Sequence, residues 1–106
     1  MTKMDRIEQL LQFIEQSPND PFLVHALALE YVKREAYELA EQSFLRNMQL
    51  DKNYIPTYFH LGKLYEKAGD PERAKVIYQE GMERCRVQQD FKTLNELNLA
   101  YEFLDE

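Results

Sequence analysis

A repeat with a period of 34 residues runs through the middle of this sequence and limits the folds open to it. Between Pro21 and Gln88 the chain can be laid over itself at that offset, and large residues then fall on large ones and small on small. The matched pairs are Leu27 with Leu61, Ala28 with Gly62, Tyr31 with Tyr65, Ala40 with Ala74, and Phe44 with Tyr78. A period of this length is typical of helix-turn-helix repeats.

The residue types at the repeated positions indicate how the helices pack. Leu27, Ala28 and Tyr31 share one helical face, where the small residue allows a second helix to approach closely. One helix pair leaves an apolar flank that only a neighbouring pair can bury. Two repeats therefore need a capping helix at each end.

Both capping helices are predicted from amphipathic stripes. The first stripe is formed by Ile7, Leu10, Leu11 and Ile14, and the last by Leu94, Leu97, Tyr101 and Leu104. We predict one domain over residues 1–106, made of an N-terminal capping helix at 3–16, repeat 1 at 21–54, repeat 2 at 55–88 and a C-terminal capping helix at 90–104.

Aspartate followed by proline marks two of the predicted helix starts. In Asp20-Pro21 and Asp70-Pro71 the carboxylate can cap the helix, and proline suits its first turn. The predicted class is all-α, with about six helices at 3–16, 20–34, 36–50, 55–68, 71–86 and 90–104.

Composition restricts the function. A net charge of −6 argues against binding to nucleic acid, which needs clustered Lys and Arg. The N-terminal segment places Asp5, Arg6 and Glu8 where a signal peptide would be apolar. No stretch of the sequence is long and apolar enough for a membrane span. We therefore expect a cytoplasmic protein without membrane association. No phosphate-binding loop, nucleophile elbow or zinc-protease motif is present, so no enzyme activity, cofactor or metal is expected.

The single cysteine, Cys85, excludes an internal disulfide. Arg84 and Arg86 flank it and would favour a reactive thiolate if the sulfur were exposed. An inert, buried thiol is the favoured interpretation. The residues expected to be partly exposed among the tyrosines are Tyr54 and Tyr58.

The repeated positions resemble the tetratricopeptide pattern over nearly the whole chain. The residues that carry the resemblance are Leu61-Gly62, Tyr65, Gly69, Ala74 and Tyr78, and Leu27-Ala28, Tyr31, Tyr37, Ala40 and Phe44. The family's tryptophan position holds Val24 and Tyr58 instead, and its second small position holds Asn47 and Gly81. The resemblance implies a right-handed α-solenoid of antiparallel helix pairs.

The resemblance also implies a concave groove, lined by the first helix of each repeat, that binds a peptide or partner helix. Carried over by position, the predicted groove residues are Phe22, His25, Leu29, Lys33, Phe59, His60, Lys63, Lys67, Lys92 and Leu99. Because they combine apolar side chains with lysines, we expect an adaptor for a protein segment that is both apolar and acidic. The alternative is structural self-association, with a homodimer covering the same surface.

Two narrower functions are disfavoured. Some family members hold the C-terminal carboxylate of heat-shock chaperones with Lys, Asn and Arg, but the corresponding positions here carry His25, Leu29, His60, Lys92 and Glu96. A remote alternative is a small metal-binding or acid-base enzyme that uses His25 and His60, although two imidazoles are too few for a typical zinc site.

Overall fold

The computed structural model describes residues 4–104, and within this range the chain forms six α-helices and no strand. The helices are α1 (Arg6–Gln16), α2 (Pro21–Lys33), α3 (Tyr37–Leu50), α4 (Pro56–Lys67), α5 (Pro71–Gln88) and α6 (Phe91–Leu104). The predicted all-α class and number of helices are confirmed. The chain divides into two compact units, Met1–Tyr54 and Ile55–Glu106.

Aspartate carboxylates cap four of the six helices. The carboxylates of Asp20 and Asp70 accept hydrogen bonds from the backbone N–H groups of Phe22 at 3.0 Å and Arg73 at 3.1 Å. Pro21 and Pro71 occupy the first turns behind them, so these two predicted starts are confirmed. Asp5 and Asp90 cap α1 and α6 in the same way. Each such cap supplies an acceptor to an N–H that has no partner inside the helix.

Two helix boundaries differ from the predicted ones by more than one residue. Helix α1 begins at Arg6, because Asp5 has an extended backbone and caps the helix from outside it; residue 3, where we predicted the start, lies outside the described residues. Helix α5 continues to Gln88 and not to residue 86, and Gln89 ends it in the left-handed conformation. Repeat 2 therefore has a longer second helix than repeat 1.

Three helix ends share one backbone geometry. Glu35, Gly69 and Gln89 follow the helices with φ angles of 61°, 77° and 60°. In each case the N–H of the next residue donates to the carbonyl five positions earlier, at 2.9 Å. This arrangement satisfies carbonyls that the helix end leaves without partners. Glycine adopts it without strain, whereas glutamate and glutamine do so at a cost.

The first unit packs α2 against both α1 and α3. The cluster between α1 and α2 consists of Leu10, Ile14, Val24 and Leu27. On the α3 side the buried Asn47 donates a hydrogen bond from Nδ2 to the carbonyl oxygen of Pro21 at 3.1 Å. An ion pair between Asp5 and Arg34 joins the start of α1 to the end of α2.

The second unit packs α5 between α4 and α6, and two glycines of this unit allow that packing. A Cβ at Gly62 would lie 2.1 Å from Cε1 of Tyr78, so the tyrosine ring rests directly on the backbone of α4. A Cβ at Gly81 would lie 2.6 Å from Cβ of Tyr58 and 3.0 Å from Cδ1 of Leu97. Gly81 is thus the point where α4, α5 and α6 approach one another.

The contact at Gly81 overturns one expectation. Tyr58 was predicted to be partly exposed, but only 3% of its surface is accessible. Since Gly81 has no side chain, the tyrosine fills the space in front of it. Tyr54, in contrast, is half-buried as predicted.

Candidate protein-interaction surface

One face of α4 carries most of the charged and aromatic side chains that the second unit leaves accessible on this helix. Its members, which we call the α4 face, are Phe59, His60, Lys63, Glu66 and Lys67. They occupy one side of the helix because three- and four-residue spacings return to the same face. The opposite side, which includes Tyr58 and Leu61, is buried in the core.

The side chains of the α4 face are in contact with one another. The Lys63 ammonium lies 5.5 Å from the centroid of the Phe59 ring and 3.5 Å from Oε2 of Glu66. The Phe59 and His60 rings meet edge to face at 5.6 Å. A cation above an aromatic ring gains electrostatic attraction without covering the rest of the ring. The face therefore offers aromatic surface beside positive charge.

Glu66 is held in place by Tyr78, a residue of the core. The Tyr78 hydroxyl donates a hydrogen bond to Oε2 of Glu66. Burial, and then this bond to a carboxylate, raise the pKa of Tyr78 above its usual value. The carboxylate thus has partners on two sides, the hydroxyl and Lys63. Lys67 occupies an exposed position one residue further along α4.

His60 is half-buried at the edge of the α4 face, and burial lowers its pKa. The imidazole is thus held mainly in its neutral form near neutral pH. A neutral imidazole both donates and accepts hydrogen bonds.

In the first unit, α2 presents a comparable set of side chains. Phe22 is 63% exposed, Leu29 is partly exposed and Lys33 is exposed. The spacing from 22 to 29 to 33 places all three on one side of α2. We call this the α2 face; like the α4 face, it combines an aromatic ring with a lysine.

The structure does not leave His25 on the α2 face. Only 7% of this residue is accessible, because its ring packs against Phe44 at 5.8 Å and against Tyr54 at 5.3 Å between centroids. Tyr54 lies beyond the end of α3, and nothing in the repeat pattern pointed to it as a cover for His25. The predicted groove residue is therefore mainly a packing residue.

Helix α6 exposes an apolar row on the side away from α5. Its large members are Phe91, Leu99 and Phe103, which are 61%, 59% and 73% exposed. Lys92 is exposed beside them. The comparison of repeat positions did not include Phe91 among the groove residues. The four-residue spacing of positions 91, 95, 99 and 103 would have placed it on the same side of the helix as Leu99 and Phe103.

Solved structures with the same architecture support the repeat interpretation. The solution structure of a tetratricopeptide repeat domain protein from Salinibacter ruber is 37% identical, covers 82% of this chain and 88% of that chain, and has a TM-score of 0.79. A crystal structure of a tetratricopeptide repeat domain protein from the same organism is 36% identical over 81% and 96% of the two chains, with a TM-score of 0.76. The chain belongs to the tetratricopeptide repeat family.

More distant structures share the fold of this tetratricopeptide repeat protein. A protein from Bordetella parapertussis is 20% identical, covers 97% of this chain and 90% of that chain, and has a TM-score of 0.83. No family model matches the sequence, and no curated protein matches it. The fold and the family together place the chain among helical-repeat proteins, whose general role is protein interaction.

Cys85 of this tetratricopeptide repeat protein is completely buried in α5. Burial, and then the negative charge of Asp90, raise the pKa of its thiol to about 11, which outweighs the opposite effect of Arg86. The favoured interpretation as an inert thiol agrees with this placement. Among residues 4–104, no three histidine, cysteine or acidic side chains lie close enough to hold a metal ion, and no helix is long and apolar enough to cross a membrane.

Proposed function

We propose that this tetratricopeptide repeat protein is an adaptor that binds a peptide or helix of another protein through the α4 face. The observation that carries the proposal is the Phe59 ring with the Lys63 ammonium 5.5 Å from its centroid on an accessible helix surface. Aromatic residues are enriched among the energetically dominant residues of protein interfaces. An aromatic anchor beside positive charge suits a partner with an apolar side chain next to a carboxylate.

The charges of the α4 face support an acidic partner. Glu66 already has the Tyr78 hydroxyl and Lys63 as partners. Lys63 and Lys67 are both exposed, so the two lysines outnumber the one glutamate of the α4 face although the whole chain has a net charge of −6. A locally positive surface attracts acidic segments and repels basic ones. Basic segments are attracted instead by the rest of this acidic protein, so the sign of the local charge favours acidic partners at the α4 face.

The α2 face supports the proposal from the other unit. Phe22, Leu29 and Lys33 repeat the combination of aromatic, aliphatic and cationic side chains there. We propose the α2 face as a second contact surface for the same class of partner. His25 contributes by holding α2 and Tyr54 in place, since its ring is packed between Phe44 and Tyr54.

A titration with synthetic peptides tests the proposal. Peptides that alternate leucine or phenylalanine with glutamate are added to isotope-labelled protein while amide shifts are followed, and peptides with lysine in place of glutamate serve as the reference. We expect shifts at Phe59, Lys63 and Lys67 with acidic peptides only. Absence of shifts on both the α4 face and the α2 face at saturating peptide would overturn the proposal.

Matched variants separate the anchor from general effects. Phe59→Ala should weaken binding about tenfold or more, as expected for loss of an aromatic anchor, whereas Phe13→Ala on the exposed surface of α1 should not. Lys63→Glu should also weaken binding, while Arg86→Glu makes the same change of charge on α5 and should have little effect. Equal losses for Lys63→Glu and Arg86→Glu would show that only net charge matters.

We propose that the protein is not an enzyme and that it acts in the cytoplasm. The burial of His25 argues against the remote acid-base alternative, because a general base must reach its substrate.

A further inference from the structure

The apolar row of α6 has no cover within its own unit. Phe91, Asn95, Leu99 and Phe103 follow one another at four-residue intervals on the side of the helix opposite the buried Leu97 and Ala100. Exposed apolar surface of this kind is usually a contact site. We call these four residues, with Lys92 and Glu102 beside them, the α6 face.

The α6 face is complementary to itself when two copies run antiparallel. If the position of Leu97 marks the centre, Phe91 faces Phe103 of the second copy and Lys92 faces its Glu102. Asn95 then faces Leu99 of the second copy. Each of these pairs occurs twice, because a two-fold axis repeats every contact. Antiparallel helices also place the opposite ends of their dipoles side by side.

We infer that the α6 face docks on the α6 face of a second copy, in an antiparallel pair with Lys92 and Glu102 bound across the two-fold axis. Both charges are exposed in the single chain, so each can reach a partner without leaving a buried site. The inference does not rest on the proposed function of the α4 face. It assigns Lys92 and Leu99, two of the predicted groove residues, to self-association.

The expected dimer is weak. One helix from each copy forms a contact below the roughly 1,200 Å² that marks the lower limit of stable interfaces. The net charge of −6 on each chain adds repulsion. We therefore expect reversible dimers with a dissociation constant of roughly 10–100 μM.

Sedimentation of the full chain tests the inference. Molecular mass is measured from about 1 μM to about 500 μM, the range that contains a micromolar dissociation constant. We expect the mass to rise from monomer to dimer and no further, because a two-fold contact closes on itself. A mass that stays monomeric throughout, or that grows beyond a dimer, would overturn the inference.

Charge reversal tests the register. Lys92→Glu changes the net charge of the chain from −6 to −8, and Glu102→Lys changes it to −4. Each reversal replaces both cross-axis attractions with repulsions, so each variant should dimerise about tenfold more weakly or worse. General charge repulsion would instead make Glu102→Lys the stronger dimer, and that result would refute the pairing.

Mixing the two variants provides the deciding measurement. A chain with Lys92→Glu and a chain with Glu102→Lys have complementary charges at both ends of the antiparallel pair. An equal mixture should therefore form heterodimers at concentrations where each variant alone is mainly monomeric. A mixture that stays monomeric would overturn the inference.

Two further variants distinguish loss of the dimer contact from misfolding of the chain. Leu99→Glu should abolish dimers while circular dichroism of the dilute protein is unchanged, because Leu99 is exposed. Leu45→Glu, the same change at another exposed leucine, on α3, should leave the dimer intact beyond its small effect on net charge. If Leu99→Glu folds and still forms dimers, the α6 face is not the contact.

Discussion

Replacing Gly62 with alanine should destabilise the protein, although alanine is the better helix former. A methyl group there would lie 2.1 Å from Cε1 of Tyr78 and 2.6 Å from Cζ. Carbon atoms in contact are normally about 3.5–4.0 Å apart, so the ring or the helix must move by roughly 1.5 Å. Tyr78 is completely buried and its hydroxyl is bonded to Glu66, which leaves the ring little freedom to move.

The magnitude follows from two opposing effects. Alanine in place of glycine inside a helix contributes about 1 kcal/mol of stability. Forcing an extra methyl group into a packed core costs about 1–3 kcal/mol, occasionally more. The difference lies between about 0 and 2 kcal/mol. Because the contact at 2.1 Å is far too short, we expect the upper end, a loss of about 2 kcal/mol from the free energy of unfolding, which lowers the thermal midpoint by roughly 10 °C in a domain of this size.

Repeat 1 supplies the control for this experiment. Its matched positions hold Ala28 and Phe44, and both are completely buried. Repeat 1 thus combines alanine at the small position with a ring that lacks the hydroxyl. Gly62→Ala combined with Tyr78→Phe should therefore recover part of the stability that Gly62→Ala loses, because the ring is released from Glu66. Ala28→Gly should cost about 2 kcal/mol, of which about 1 kcal/mol is helix propensity and about 1 kcal/mol is the loss of a buried methyl group.

Urea unfolding followed by circular dichroism measures the double variant, Ala28→Gly, and the two single variants Gly62→Ala and Tyr78→Phe. If Gly62→Ala raises the free energy of unfolding by about 1 kcal/mol, helix propensity outweighs the contact and the reasoning is refuted. A loss in the double variant equal to the sum of the two single losses would show that the hydroxyl does not hold the ring.

Three further predictions concern Asn47, Cys85 and Asp5. Asn47→Ala should lower the free energy of unfolding by about 1–2 kcal/mol, since it removes a buried hydrogen bond to the carbonyl of Pro21; an unchanged urea midpoint would contradict this. Cys85 should not react with a thiol reagent at pH 8 until urea unfolds the chain, because the thiol is buried with a pKa of about 11; rapid reaction of the folded protein would count against its placement. The hydrogen bond from Arg34 lowers the pKa of Asp5 from 3.8 to about 2. Between about pH 2 and pH 4 the folded state therefore binds fewer protons than the unfolded state, and the stabilisation by Asp5 is fully present only above about pH 4. The difference in urea midpoint between the wild type and Asp5→Asn should shrink as the pH falls from about 4 towards 2, and a difference that is constant with pH would exclude the ion pair as its source.

Local patterns account for much of the fold. The 34-residue period repeats one helix pair along the chain, so the number of helices could be predicted. The capping aspartates Asp20 and Asp70 act within two or three residues, so two helix starts could be predicted as well. The close contact of Ala28 or Gly62 with the second helix also followed from residue size at a fixed spacing. These features depend on helix geometry and residue volume, both of which the sequence determines by itself.

The placement of individual side chains was decided by tertiary contacts. Tyr58 is buried because Gly81, on the next helix, has no side chain to exclude it. His25 is removed from the α2 face because Tyr54, distant in sequence, packs against its ring. The exposure of a side chain depends on which residues of other helices come within contact distance of it. A repeat pattern shows which positions correspond and contains no such distances. The spacing of Phe91, Leu99 and Phe103 places them on one side of α6, but their exposure depends on the packing of α6 through its opposite side.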